Sequence, residues 1–268
     1  NARKEVCPFM SFKSFELHPQ IQAGVEALGF EEPTPIQSRC IPLILKGRDV
    51  MGMAQTGTGK TAAFGLPILQ RLMSGPRRRV RALIIAPTRE LAEQIHEAIG
   101  ELGRKTKVKS VTVYGGVKQN PQVRKLREGA EIVVACPGRL LDLMDQGVID
   151  LSGMEVLVLD EADRMFDMGF MPDVRRILGR IPAKRQTLLF SATMPEEIRD
   201  LARDILKDPV TVQVGEAAPV STVSHALYPV EQHLKTALLM KILDRTDTDS
   251  VLVFTRTKDR ATRVAKSL

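Results

Sequence analysis

The chain has 268 residues, 43% of them hydrophobic, with a formal net charge of +7. That length suffices for one large α/β domain plus part of another, and no apolar run approaches the roughly 20 residues of a membrane helix. Cys7, Cys40 and Cys136 share no C-x-x-C spacing, and His18, His96, His225 and His233 are scattered, so neither a zinc site nor a disulfide framework is expected. With no apolar signal-peptide core at the start, the sequence predicts a soluble, cytoplasmic protein with reduced thiols. Basic residues gather at 77–81 (RRRVR), 104–109 (RKTKVK) and 124–127 (RKLR). Such clusters either attract polyanions, nucleic acid first among them, or simply solvate a surface. Aromatic residues make up only 4%, so any grip on nucleic acid should fall on its backbone and not on stacked bases.

In chain order, short apolar runs alternate with longer amphipathic stretches. The runs are DVMGMA (49–54), ALIIA (82–86), SVTVY (110–114), EIVVA (131–135), EVLVLD (155–160), TLLF (187–190) and VTVQV (210–214). Several are apolar without alternation, the mark of strands covered on both faces. Helical patterns such as 88–103 and 195–208 lie between them. Strand and helix in alternation predict a parallel sheet wound on both sides. Ligands on such sheets sit at the carboxyl ends of the strands. Residues 215–224 read as a linker. The pattern then restarts with a strand at 225–230, a helix at 233–245, a strand at 250–255 and a final helix, too few residues to bury a core alone.

Ala54–Thr61 (AQTGTGKT) follows the first run and opens a helix. Glycines let backbone N–H groups converge on phosphate oxygens, and the helix adds its positive end. Lys60 would neutralise β/γ-phosphate charge, and the Thr61 hydroxyl would reach Mg²⁺. The alternative is a glycine-rich turn that happens to end in Lys-Thr. Asp160–Asp163 (DEAD) follows the fifth run. A carboxylate at the end of a buried strand needs a cation to face. Asp160 would hold nucleotide-bound Mg²⁺, partly through water, and Glu161 would polarise the attacking water as a general base. The plainer reading is acids favouring a helix N-terminus. Guanine-specific phosphate-loop proteins need N-K-x-D, and the two asparagines, Asn1 and Asn120, do not precede lysine.

With Pro87–Leu91 (PTREL) and Ser191–Thr193 (SAT), these motifs stand in the order and at the spacing of one family. The chain resembles the DEAD-box ATP-dependent RNA helicases over most of its length, and within them the bacterial RhlE-like members. The resemblance implies a RecA-like P-loop NTPase domain with a parallel sheet flanked by helices, plus a truncated second α/β domain. It implies boundaries of 1–37 for an N-terminal extension with the adenine-recognition motif, 38–215 for the first RecA-like domain, 216–224 for a linker and 225–268 for the start of the second. ATP and Mg²⁺ are the implied cofactors, held by Gln55, Thr56, Gly57, Thr58, Gly59, Lys60 and Thr61. Gln37 would match the N6/N7 edge of adenine, and Phe12 would stack on the base or anchor the core. Pro87, Thr88, Arg89, Gly115, Gly116, Pro137, Gly138 and Arg139 would grip RNA, with Cys136 standing where the family usually has Thr. Ser191 and Thr193 would bond to Asp163 and couple nucleotide to duplex opening. Thr193 also fits an S/T-x-x-E capping box with Glu196.

The implied activity is local unwinding of short RNA duplexes. An ATP-gated RNA clamp and a DNA-acting helicase with the same core stay open as alternatives. No HRIGRTGR-like segment is present, so the chain is expected to bind nucleotide and hydrolyse it poorly, with most of the second RecA-like domain missing. The apolar edge of the short second unit could pair two chains, and no membrane partner is expected.

Overall fold

All seven apolar runs form short strands: β1 (Val50–Met53), β2 (Ala82–Ile85), β3 (Ser110–Val113), β4 (Ile132–Ala135), β5 (Val156–Leu159), β6 (Gln186–Ser191) and β7 (Val210–Gln213). This computed structural model describes residues 11–214, 224, 226–247 and 249–268. The strands make one sheet in the order β3-β4-β2-β5-β6-β1-β7, parallel at every pairing. Successive side chains point to opposite faces. Ala82 and Ile84 enter one apolar cluster, Leu83 and Ile85 the other. Both phases of the strand are therefore buried, which is why the sequence lacks a polar alternation.

Helices α1 (Pro19–Ala27), α2 (Pro35–Leu45), α3 (Lys60–Leu72) and α4 (Arg89–Leu102) cover the first face. Helices α5 (Gln119–Arg127), α6 (Pro137–Asp145), α7 (Ala162–Asp167), α8 (Met171–Leu178) and α9 (Glu196–Ile205) cover the second. The division follows the path of the chain. Each connection that runs toward β3 carries its helix on the first face, and each that runs back toward β7 carries it on the second, as crossovers of one hand require. Gly24 lets α1 approach α4 closely, since a Cβ there would lie 2.1 Å from the Leu102 carbonyl oxygen. The residues from Phe12 to Gln37 thus belong to the body of this unit.

The amino ends of the strands are clamped by ion pairs. Arg81, 3% exposed, donates from Nε and Nη2 to Glu155 at 2.6 and 3.2 Å. Arg77 donates to the buried Glu131 at 3.1 Å. Part of the basic run 77–81 is therefore internal structure at the end of the sheet opposite the motif loops.

The chain divides into two compact units, Asn1–Glu216 and Ala217–Leu268. In the second, α10 (Lys235–Arg245) and α11 (Lys258–Ser267) form as read from the sequence, with Arg260 Nη2 donating to Thr236 Oγ1 at 3.4 Å. The two strands expected here do not form: 226–230 and 250–255 carry no strand. A strand is defined by its ladder, and neither segment has a partner among the described residues. His225 and the linker, Ser224 apart, lie outside the described residues. Among the described residues no helix is long and apolar enough to cross a membrane.

Candidate functional site

Every motif loop leaves the carboxyl end of a strand. The loops after β1, β5 and β6 carry the phosphate-loop, acidic and SAT residues; those after β2, β4 and β3 carry PTREL, PGR and the glycine pair. The sheet order keeps the two groups on adjoining halves of one edge.

Gly57 (φ 84°) and Gly59 (φ 91°) take the left-handed conformation in the turn before α3, which side chains with a Cβ rarely adopt. Thr58 Oγ1 closes the turn on the Gln55 carbonyl at 2.8 Å. No side chain caps α3, so its first N–H groups are available to an anion. Thr61 stands half-buried in that first turn. Lys60 is 6% exposed. Its Nζ donates to the Ala54 carbonyl at 3.2 Å and lies 3.6 Å from Asp160 Oδ1.

The loop is braced from α2. Thr34 Oγ1 donates to the Thr58 carbonyl at 2.8 Å, and Gln37 Nε2 to the Gly59 carbonyl at 3.1 Å. Gln37 Oε1 accepts from the Thr34 N–H at 2.9 Å. Both ends of the Gln37 amide thus hold backbone in this conformation, and Gly59 leaves room for it: a Cβ there would lie 2.4 Å from Nε2. Phe12 is 2% exposed and packs on Phe15 and Phe30, each at 5.8 Å between ring centroids. Its ring is a core anchor here.

Asp160 is 2% exposed, and its Oδ1 accepts from the Glu161 N–H at 3.0 Å. Burial pushes its carboxyl up to about 6; Lys60 pulls it down and Glu161 adds to the rise. Glu161 itself sits at φ 52°, ψ 53°, a left-handed strain of about 1–2 kcal/mol for a residue with a Cβ. Its Oε1 accepts from Thr56 Oγ1 at 2.8 Å, which joins the phosphate loop to the acidic motif.

Asp163 Oδ2 accepts from Thr193 N–H and Oγ1 at 2.8 and 2.9 Å. Its own N–H donates to Ser191 Oγ at 3.2 Å, and that hydroxyl donates to the Thr193 carbonyl at 2.7 Å. Burial alone would raise the Asp163 carboxyl, but the bonds from Thr193, Ser191 and the Arg164 N–H outweigh it and hold the group below the ordinary carboxylate range. The capping box read at Thr193 does not form. Helix α9 starts at Glu196 with Pro195 at its cap and no side-chain bond there, because the Thr193 hydroxyl is committed to Asp163.

In the other group of loops, Pro87 is buried and Thr88 caps α4, its Oγ1 accepting from the Leu91 N–H at 3.2 Å. Arg89, Gly115 and Gly116 are exposed. Pro137 is buried at the start of α6, and Gly138 is half-buried. Arg139 donates from Nη2 to the Val117 carbonyl at 3.3 Å, while its Nε and Nη1 are buried with no hydrogen-bond partner among the described residues. Cys136 occupies the cap of α6 without a side-chain bond. Burial, helped by Glu90, pushes its thiol up to about 11. Sequence reasoning missed Thr34, the brace of the phosphate loop, and Tyr114 with Glu93 and Gln122, whose bonds surround the glycine loop. Thr34 left a signal, standing three residues before Gln37 at a helix start.

A doubly wound parallel sheet with a phosphate loop after one strand and paired acids after another, two places along the sheet, defines a RecA-like P-loop domain. Comparison with known proteins narrows the class. Residues 34–201 match the DEAD/DEAH box helicase family, and the chain belongs to it. It is 44% identical to the ATP-dependent RNA helicase DeaD of Escherichia coli (strain K12), over 96% of this chain and 41% of that protein. It is 40% identical to the DEAD-box ATP-dependent RNA helicase CshA of Geobacillus kaustophilus, over 96% of this chain and 55% of that protein. A crystal structure of a DEAD box protein from Methanococcus jannaschii superposes with a TM-score of 0.73 at 34% identity, covering 97% of this chain and 70% of that one. The chain therefore spans about half the length of these curated relatives or less.

Proposed function

We propose that the chain is the nucleotide-binding half of an ATP-dependent RNA helicase. It binds ATP with Mg²⁺ in the loop from Gln55 to Thr61 and grips the RNA backbone through Pro87–Arg89, Gly115–Gly116 and Pro137–Arg139. Paired with a second RecA-like domain, it bends one strand and opens short duplexes. Lys60 supplies positive charge to the phosphates, Thr61 and Asp160 hold the magnesium, Glu161 orients and deprotonates water, and the Asp163–Ser191–Thr193 set relays the nucleotide state. Gln37 selects adenine once its amide turns from the Gly59 carbonyl.

The residues suit this ligand. Uncapped helix N–H groups, left-handed glycines and a buried lysine form a cradle for an anion. Among the described residues no three His, Cys, Asp or Glu side chains cluster to hold a metal alone. That fits Mg²⁺, which commonly takes one or two carboxylates and completes its shell with phosphate oxygens and water. Bound there, the metal and triphosphate would supply a polarised γ-phosphoryl group.

The observation that carries the proposal is that the phosphate loop and the acids share one sheet edge with Arg139, whose buried Nε and Nη1 make no hydrogen bond among the described residues, with Asp142 Oδ2 3.8 Å from Nε as an ion-pair partner. Calorimetry tests the nucleotide half: ADP and ATP should bind, and GDP should not. Competition between single strands of RNA and DNA of one sequence tests the rest. RNA should win through its 2′-hydroxyls; equal binding would favour the DNA-acting alternative.

A further inference from the structure

The glycine loop is the junction of all three loops assigned to RNA. Tyr114, directly before it, is tied on three sides. Its hydroxyl donates to Glu93 Oε1 on α4 at 2.5 Å, its carbonyl accepts from Gln122 Nε2 on α5 at 3.0 Å, and the Arg89 guanidinium lies 5.8 Å from its ring centroid. Thr112 Oγ1 donates to the same Glu93 oxygen at 3.0 Å. Just past the glycines, the Val117 carbonyl accepts from Arg139. The PTREL loop is thus joined to the glycine loop through Tyr114, and the PGR loop through Val117.

Gly115 and Gly116 are exposed and have no side chains, and Gly116 is left-handed at φ 79°. Such a segment cannot hold its own position; the residues at its two ends must. Glu93 follows Arg89 by one turn on the same helix, so α4 carries both the arginine and the acceptor that fixes Tyr114. Gln122 is 7% exposed, so it acts from inside the fold.

We infer that Tyr114, held by Glu93 and Gln122, is a positioning residue for RNA. It sets the glycine loop in register with Arg89 and Arg139, so that the three loops meet the backbone as one preformed surface. The inference rests on the RNA reading above. Preformed surfaces bind more tightly because less ordering remains to be done on contact. Neither Glu93 nor Gln122 needs to touch the ligand.

The test is fluorescence anisotropy of a labelled single-stranded RNA on the 268-residue chain, with a fluorescent ADP measured in parallel. Tyr114→Phe keeps the ring and removes the hydroxyl. RNA affinity should fall about fivefold, the scale of one net hydrogen bond, while ADP affinity stays unchanged. Gln122→Leu should act in the same direction. Glu93→Gln, which keeps an acceptor for Tyr114 and Thr112, should retain most of the affinity that Glu93→Leu loses. The salt slope separates positioning from contact. It should be unchanged in Tyr114→Phe, whereas Arg139→Ala should lower it by about one. Wild-type RNA binding by Tyr114→Phe and Gln122→Leu would overturn the inference alone. An equal loss of ADP affinity would also overturn it, since that marks general loosening. If the wild-type chain binds no RNA, this inference and the RNA reading fall together.

Discussion

Lys60 Nζ lies 3.6 Å from Asp160 Oδ1, and the two side chains are 6% and 3% exposed. The separation exceeds that of a direct hydrogen bond, so the lysine compensates the acid without fully satisfying it. This explains why burial wins at Asp160 and its carboxyl rises to about 6 even with a cation nearby. An acid in that condition gains from a second positive charge, and the strand end that holds it faces the phosphate loop.

Lys60→Ala should therefore destabilise the protein in a pH-dependent way. The Asp160 carboxyl is raised in the folded state, so its neutral form favours folding. That contribution is fully present below the ordinary carboxylate value of 3.8 and is lost as pH rises through about 6. Removing Lys60 takes away the charge that pulls the group down, so it rises further and the same loss deepens. Relative to wild type, the variant's melting temperature should drop more in mildly alkaline buffer than in acetate buffer. An equal drop in both would mean that Lys60 does not compensate Asp160.

Magnesium-nucleotide binding should follow the same titration. A protonated carboxyl does not hold Mg²⁺, so affinity for Mg·ADP should weaken as pH falls through about 6. In Asp160→Asn affinity should be lower and flat across that range. Calorimetry at a series of pH values, with and without chelator, decides this. A wild-type curve flat through that range would remove Asp160 from the metal site.

Much of this was legible in the sequence, for a physical reason. Strands buried on both faces announce themselves as unbroken apolar runs, as Ala82–Ile85 and Ile132–Ala135 do. A parallel sheet then brings the residues after each run to one edge, so motifs far apart in sequence become neighbours. Side-chain partners were harder to read. Thr193 has the spacing of a cap, yet its hydroxyl donates to the Asp163 carboxylate thirty residues away, because a charged acceptor holds it more strongly than a bond accepted from a helix N–H would. The basic run at 77–81 reads as either a polyanion site or a solvated surface, but Arg81 pairs with Glu155 and Arg77 with the buried Glu131 at the far end of the sheet. The two missing strands, at 226–230 and 250–255, show the same limit: local β-propensity without a ladder makes no strand.

The Asp163–Thr193 contact predicts a second pH effect of opposite sign. Asp163 is held below its ordinary value, so its contribution to stability is present above that value and is lost as pH falls through the depressed one. Thr193→Ala removes the Oγ1 bond and keeps the N–H bond, and should cost about 1 kcal/mol at neutral pH. The deficit should shrink in strong acid, where wild type loses the carboxylate as well. Chemical denaturation at neutral and acid pH measures both. ADP affinity should not change, because the Thr193 bonds lie within the β5–β6 loops and not in the phosphate loop.

Cys136 offers a test in the stabilising direction. It caps α6 from extended backbone, at φ −89° and ψ 143°, yet its thiol makes no bond to the first turn. Burial raises the thiol to about 11, so it stays neutral and a weak donor. Threonine suits the same backbone, and its hydroxyl oxygen accepts well from a helix N–H. Cys136→Thr should raise stability by about 0.5–1 kcal/mol, seen as a higher melting temperature. If the loop before Arg139 meets RNA, the new hydroxyl should also tighten RNA binding by a factor of about 5, the value of one added hydrogen bond. A gain in melting temperature with unchanged RNA affinity would keep the cap and deny residue 136 a contact with the strand. A loss of both would mean that the half-buried site has no room for the hydroxyl and methyl together.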